Sequence, residues 1–197
     1  KAKLFKNLKK DSYSIINTDN QYGIELYETI SSNKISYGLN QESDILATDI
    51  KITFEGCSAK IQIFKKKYSI KTNLIGEYNI SNILAAIGAL ISLDYSPDDI
   101  IEKINNLNFS IPGRVELISN VNDRFVLVDY AHSPDAFKTV FSNIKKIDDS
   151  FSLISLFGCG GNRDKSKRSE MARIAEKYCD KVIVTCDNPR NEKLSDI

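Results

Sequence analysis

Three short stretches hold most of the residues that could do chemistry: DYAHSPDA at 129–136, GCGGNRDKSKR at 158–168 and TCDNPR at 185–190. In the last of these, the apolar run VIV gives way within a few positions to Asp187, Asn188, Pro189 and Arg190. A proline cannot extend a helix or a central strand, so the chain turns there and keeps two opposite charges close. The planar fork of Arg190 suits a carboxylate, Asp187 can accept from an ammonium group, and Asn188 can do either. Together they fit the zwitterionic end of an amino acid. The competing reading is a plain ion pair across a turn, which at a surface contributes little.

DYAHSPDA offers Asp129 and His132 on a loop, followed by Ser133, Pro134 and Asp135, the pattern of a helix cap with proline at the first helical position. His132 is either a ligand-facing residue or one that satisfies its own turn. In GCGGNRDKSKR, Gly158, Gly160 and Gly161 permit a close approach of backbone, either to a ligand or simply through a turn into a helix. Arg163, Lys165, Lys167 and Arg168 surround them with positive charge. No lysine and hydroxyl follow the glycines in the register of a GxxxxGK[ST] phosphate loop.

Each stretch follows an apolar run: FVLV at 125–128, FSLISLF at 151–157 and VIV at 182–184. Helical patterns at about 134–147 and 165–179 separate these runs, and the alternation predicts a parallel sheet with helices on its faces. Ligands bind such sheets at the carboxyl ends of the strands, so the three loops are expected to converge on one site. Before residue 110 the pattern differs. From about 12 to 76 it has period 2, as in Ile50, Ile52 and Phe54, then Ala59, Ile61 and Ile63, then Tyr68 and Ile70, predicting half-buried strands joined by turns. From Asn79, the residues Ile80, Ile83, Leu84, Ile87, Leu90 and Ile91 recur at helical spacing. Ser96-Pro97-Asp98-Asp99 then opens a second helix that runs to about Leu107. Pro112 and Gly113 mark a domain boundary near 110–113, giving units 1–110 and 111–197.

The 27 Lys and Arg against 26 Asp and Glu leave a net charge of +1, so no basic field is available to draw in nucleic acid. Four cysteines without CxxC spacing argue against zinc or a disulfide framework and suit a reducing, cytoplasmic setting. No apolar run approaches the roughly 20 residues needed to span a bilayer. The single methionine, Met171, lies deep in the chain, and the sequence reads as an excerpt of a longer polypeptide.

GEYNISNILAA, GRVE, VDYAHSPDA, FGCGGNRDKSKR and TCDNPRNE, in this order and at these intervals, resemble the Mur ligase family. The resemblance covers nearly the whole chain. It is narrowest to the members that add meso-diaminopimelate to UDP-N-acetylmuramoyl-L-alanyl-D-glutamate in peptidoglycan synthesis. It implies an α/β fold: the end of a central ATPase domain, a mixed sheet with helices, followed by the start of a Rossmann-like C-terminal domain with a parallel sheet. It also implies ATP and Mg²⁺ as cofactors, amide formation through an acyl phosphate, the UDP-N-acetylmuramoyl-dipeptide and meso-diaminopimelate as partners, and a cytoplasmic monomer. The family's phosphate-binding loop and UDP-sugar site are expected upstream, so these 197 residues alone are expected to be inactive.

Position by position, the resemblance places Asn79 and Asn82 near adenine, and it places Arg114, Asp129 and His132 among residues that reach ATP, His132 also being a catalytic candidate. Arg163 is expected to contact diaminopimelate, and Asp187, Asn188, Pro189 and Arg190 to recognise it. In lysine-adding relatives the arginine at position 190 is usually absent. Lys1, with Leu4 and Phe5, matches a lysine that is carbamylated in the family and then supplies oxygen to Mg²⁺, as that ion requires. An ordinary surface lysine is the alternative. Asn162, Ser166, Ser133 and Leu194 depart from the usual aspartate, glycine, threonine and proline, and none of these removes a charge assigned to substrate. A lysine-adding relative and a non-catalytic module of the same fold remain the other readings.

Overall fold

Isoleucine dominates the alternating stretches of the first hundred residues, and its branched side chain favours an extended backbone with one face buried. The computed structural model describes residues 2–9, 11–108, 110–122 and 124–197. It divides into two units, Lys1–Ser110 and Ile111–Ile197. After a short helix α1 (Ala2–Lys6), the first unit builds one sheet from β1 (Tyr13–Asn17), β2 (Asn33–Gly38), β3 (Ile45–Thr53), β4 (Gly56–Ile63) and β5 (Lys66–Thr72), in that spatial order. β1, β2 and β3 are parallel, and β3, β4 and β5 form an antiparallel meander.

The strand reading of residues 12–76 therefore holds for β1 to β5 but misses one helix. A helix, α2 (Gln21–Thr29), crosses from β1 to its parallel neighbour β2. Asn20 caps it, its side chain accepting from the Gly23 N–H. None of its residues is fully buried, so it carries no strong apolar stripe that a periodicity could reveal. β3 also begins earlier than the alternation suggests. A bulge between Thr48 and Lys51, with Asp49 at φ 51°, moves the inward face from Ile45 and Ala47 to Ile50 and Ile52. The alternation starting at Ile50 records only the half beyond the bulge, because an extra residue inverts which positions face in.

Against this sheet packs α3 (Glu77–Ile91), burying Ile80, Leu84 and Ile87 completely against Ile45, Ile61 and Ile63. α4 (Pro97–Asn106) adds Ile100 and Ile101 and is capped by Ser96, whose side chain accepts from the Asp99 N–H at 3.2 Å. Among the described residues no helix is long and apolar enough to cross a membrane.

The second unit starts with an antiparallel pair, β6 (Glu116–Val121) and β7 (Arg124–Val128). It continues through α5 (Pro134–Ile147), β8 (Ile154–Phe157), α6 (Ser166–Tyr178) and β9 (Lys181–Val184), with β8 and β9 parallel. Phe137 and Phe141 of α5 meet Met171 and Ala175 of α6, and Phe137 also sets its ring edge-on to Phe157 at 4.9 Å. The strand pattern of this unit is apolar on both faces, yet Ile154, Leu156 and Val184 are exposed while Ser155 and Phe157 turn toward the helices. β6 was absent from the expected order. It pairs antiparallel with β7, and Asn122, just past its end, adopts φ 50°.

Candidate functional site

The loops after β7, β8 and β9 line one cavity of about 630 Å³ in the second unit, to which Asp129, His132, Gly160, Arg163, Asp187 and Arg190 all contribute. Parallel pairing of β8 and β9 brings two of these loops side by side, and the ladder continues past the strand ends through Thr185 N–H to the Phe157 carbonyl at 2.9 Å.

Glycine lets the GCGG and DNPR segments touch backbone to backbone. The Gly161 N–H donates to the Asn188 carbonyl at 2.9 Å, and a Cβ on Gly161 would fall 1.8 Å from the Pro189 carbonyl oxygen. A Cβ on Gly160 would lie 2.9 Å from the Arg190 guanidinium and 3.5 Å from the Asp187 carboxylate. The glycines thus admit the neighbouring loop, and they hold the two charged groups of that loop close around one point.

Asn188 shapes the turn, its side-chain oxygen accepting from the Arg190 N–H at 3.1 Å while Arg190 adopts φ 50°. The Arg190 guanidinium gives one hydrogen bond to the Gly161 carbonyl at 2.5 Å and remains exposed. Among the described residues, no ion pair joins Asp187 to Arg190. The plain salt-bridge reading of DNPR is therefore not what the turn does. Both charges keep capacity for something else.

The cations of GCGGNRDKSKR divide by role. Lys167 donates to the His132 carbonyl at 2.7 Å. Lys165 and Arg168 both turn to Glu192, a residue that sequence reasoning assigned no role. Arg168 grips it with both terminal nitrogens, at 3.0 and 3.1 Å, and the two side chains are only 9% and 13% exposed. Arg168 and the N–H of Asn162 hold the Glu192 carboxyl down to about 2. Arg163 makes no hydrogen bond or ion pair with another described residue and lines the cavity. Glu192 could have been suspected only from its place two residues beyond Arg190.

Asp129 lies at the cavity, but its carboxylate is occupied by backbone: one oxygen accepts from the Val115 N–H at 2.8 Å and the other from the Ala131 N–H at 2.7 Å. Val115 sits at φ 46°, a conformation costly for a β-branched residue, and Asp129 holds it there. This bond and that from the Tyr130 N–H to the Gly113 carbonyl, 2.7 Å, tie the GRVE turn to the DYAH loop. Arg114 is exposed and stacks 5.1 Å from the Tyr130 ring, leaving a cation suited to phosphate. The exposed His132 places Nδ1 3.0 Å from the Tyr130 carbonyl. A carbonyl only accepts, so this bond requires the proton on Nδ1 and leaves Nε2 as the basic nitrogen.

In the first unit, Asn79 is 2% exposed and its amide donates to the Ile75 carbonyl at 2.9 Å, securing the first turn of α3. Asn82, one turn on, is exposed; its amide donates to the Asn79 side-chain oxygen at 3.4 Å, leaving its own oxygen and second N–H able to pair with a heterocycle edge. Lys1 lies outside the described residues. Among the described residues no cluster of three or more His, Cys, Asp or Glu is arranged to hold a metal.

Comparison with known proteins gives two family matches, the Mur ligase middle domain over residues 1–90 and the Mur ligase glutamate ligase domain over 113–197. The chain is 40% identical over 200 residues to the UDP-N-acetylmuramoyl-L-alanyl-D-glutamate–2,6-diaminopimelate ligase of Fusobacterium nucleatum, covering 100% of this chain and 40% of that protein. It is 38% identical over 196 residues to diaminopimelate ligase 1 of Clostridium acetobutylicum, covering 98% of this chain and 40% of the relative. The chain thus spans about 40% of the length of these curated relatives. A solved structure of a ligase of the same name superposes with TM-score 0.66 at 28% identity, over 100% of this chain and 41% of that one. The MurF ligase of Thermotoga maritima, solved in complex with ADP, shares the fold at TM-score 0.71 and 18% identity, over 94% of this chain and 43% of that one.

Proposed function

This chain belongs to the Mur ligase family, and from that premise we propose that it forms part of a cytoplasmic, monomeric, ATP-dependent amide ligase of peptidoglycan synthesis. The ligase joins meso-diaminopimelate to UDP-N-acetylmuramoyl-L-alanyl-D-glutamate. The observation that carries the choice of amino acid is the unpaired Asp187 and Arg190 around Gly160, with Arg163 lining the same cavity. A carboxylate suits the Arg190 fork and an ammonium suits Asp187, and diaminopimelate presents both at its distal carbon. Lysine lacks that carboxylate.

In the reaction, the substrate carboxylate takes the γ-phosphoryl group of ATP and ADP leaves. The amine of diaminopimelate then attacks the acyl phosphate carbon, the bond to phosphate breaks, and the nitrogen loses a proton. The chain's own contributions are local. Arg163, Asp187 and Arg190 orient the amino acid, with Asn188 and Pro189 shaping the turn that presents the last two. Asp129 holds the turn that carries Arg114, whose cation suits a phosphate. Nε2 of His132 is the nearby base able to accept a proton. Asn82 offers the exposed amide toward adenine and Asn79 fixes the helix start beneath it. Lys1, as its carbamate, would offer oxygen to Mg²⁺, which would neutralise phosphate charge when bound.

The test is Arg190→Ala in the full-length ligase. Loss of a hydrogen-bonded charge pair is expected to raise the KM for diaminopimelate roughly tenfold to a hundredfold, with little change for ATP. Unchanged diaminopimelate kinetics would remove the recognition role from DNPR. Competition between lysine and diaminopimelate in the wild-type enzyme separates this reading from a lysine-adding relative.

A further inference from the structure

Glu192 and Arg168 touch neither end of the cavity's charged pair, yet they join the two loops that form it. Glu192 sits two residues after Arg190 in the loop that follows β9, and Arg168 lies in the first turn of α6, directly after the GCGGNRD loop. One Glu192 oxygen accepts from the Asn162 N–H at 2.5 Å and from Arg168 at 3.1 Å. The other accepts from Arg168 at 3.0 Å and pairs with Lys165 at 3.1 Å. Arg168 in turn donates to the Gly160 carbonyl at 3.4 Å and to the Asp196 carbonyl at 3.1 Å.

The connections are mechanical. Gly160 and Gly161 are the residues around which Asp187 and Arg190 are placed, Asn162 precedes Arg163, and Glu192 follows Arg190 on the same turn, where its N–H donates to the Pro189 carbonyl at 3.0 Å. A side chain that holds Asn162 from the DNPR side therefore sets the separation of Arg163 from Arg190. Geometry of this kind is what a bidentate Arg–carboxylate pair supplies, since its two parallel bonds fix angle as well as distance.

We propose that the Glu192–Arg168 pair is a positioning unit for amino-acid recognition: it holds the GCGGNRD and DNPR loops at the spacing at which Arg163, Asp187 and Arg190 engage one amino-acid ligand. It acts through those three residues and does not itself meet substrate. This inference rests on the proposed recognition role of DNPR. It predicts a defect specific to the amino acid, because neither Arg114 nor Asn82 depends on Glu192.

The test compares Glu192→Gln, Arg168→Lys and Arg190→Ala in the full-length ligase, with KM for diaminopimelate and for ATP, kcat, and melting temperature measured for each. Glu192→Gln removes the charge at nearly constant volume, and Arg168→Lys keeps the charge but loses the fork. Displacement of a binding group by about 1 Å can cost roughly a hundredfold, so both are expected to raise the diaminopimelate KM by tenfold or more. ATP KM should stay within about twofold, and discrimination against lysine should fall. A fall in melting temperature and kcat with an unchanged diaminopimelate KM would reduce the pair to a fold support and overturn the proposal. So would equal rises for ATP and diaminopimelate. If Arg190→Ala is impaired for diaminopimelate while Glu192→Gln and Arg168→Lys are not, the positioning role alone fails. If Arg190→Ala is itself normal, the recognition reading fails with it.

Discussion

In the first unit, Ile45, Ile61, Ile80, Leu84 and Ile87 are sealed from solvent between a sheet and two helices, and the buried asparagine beside them is satisfied within its own turn. In the second, the segments that bear the candidate site reach the aromatic core through Ala131 and Cys159 and are joined to one another by close glycine contacts, a bidentate ion pair and single backbone bonds. Apolar burial is non-directional, so a sheet can tolerate a shift of side chains as long as volume is kept. Hydrogen bonds and close backbone contacts are directional and fail over a few tenths of an ångström. The region proposed to present charges to a small ligand is built from the directional kind.

Removing apolar volume is the largest break available. Leu84→Ala should lower the unfolding free energy by about 2–5 kcal/mol, seen as a lower denaturant midpoint. The diaminopimelate KM of the molecules that remain folded should not move. A change in that KM comparable to the change from Arg190→Ala would mean that the two regions are not independent in kind.

The glycines sharpen the contrast. At Gly161 an added Cβ meets a backbone carbonyl at 1.8 Å, and at Gly88 of α3 it meets the Ile15 Cγ2 methyl at 2.8 Å. A carbonyl in a proline turn cannot step aside, whereas the Ile15 methyl, carried on Cβ, can give by a small shift of its own side chain. Gly161→Ala should therefore raise the diaminopimelate KM by roughly a hundredfold. Gly88→Ala should leave that KM alone and change stability by at most about 1–3 kcal/mol, partly offset by the better helix propensity of alanine. Steady-state kinetics and thermal melts on the two variants give the comparison directly.

The smallest predicted effect concerns pH. The Glu192 carboxyl, held near 2 by Arg168, the Asn162 N–H and Lys165, titrates below its ordinary value of 4.5. A carboxyl lowered by folding contributes stability above its unfolded pKa and loses it as pH falls through the folded one. The difference in melting temperature between wild type and Glu192→Gln should thus be constant from pH 7 to about 5. It should shrink between about 4.5 and 2. A difference that instead grew toward low pH would show that the carboxylate is not the stabilised form.

Local rules made several elements legible. The Ser96 and Ser133 caps with following prolines start α4 and α5 where expected, and the aliphatic spacing of α3 gives its buried face. Turn chemistry exposed DNPR as a place where charges collect. Other features were hidden because their cause lies elsewhere in the chain. α2 buries no residue and so leaves no stripe, and the β3 bulge inverts its alternation without any marker beyond Asp49. Asp129 looked like a ligand-facing acid, and both its oxygens hold backbone.

By itself the sequence determined the alternation of strands and helices, the three polar loops at strand ends and the pair of opposite charges in DNPR, since each depends on neighbours within a few residues. Whether Asp187 and Arg190 pair with one another, which cation serves Glu192 and why three glycines precede Asn162 were decided only in three dimensions. Those outcomes depend on the distance between segments some thirty residues apart, which parallel pairing of β8 with β9 imposes.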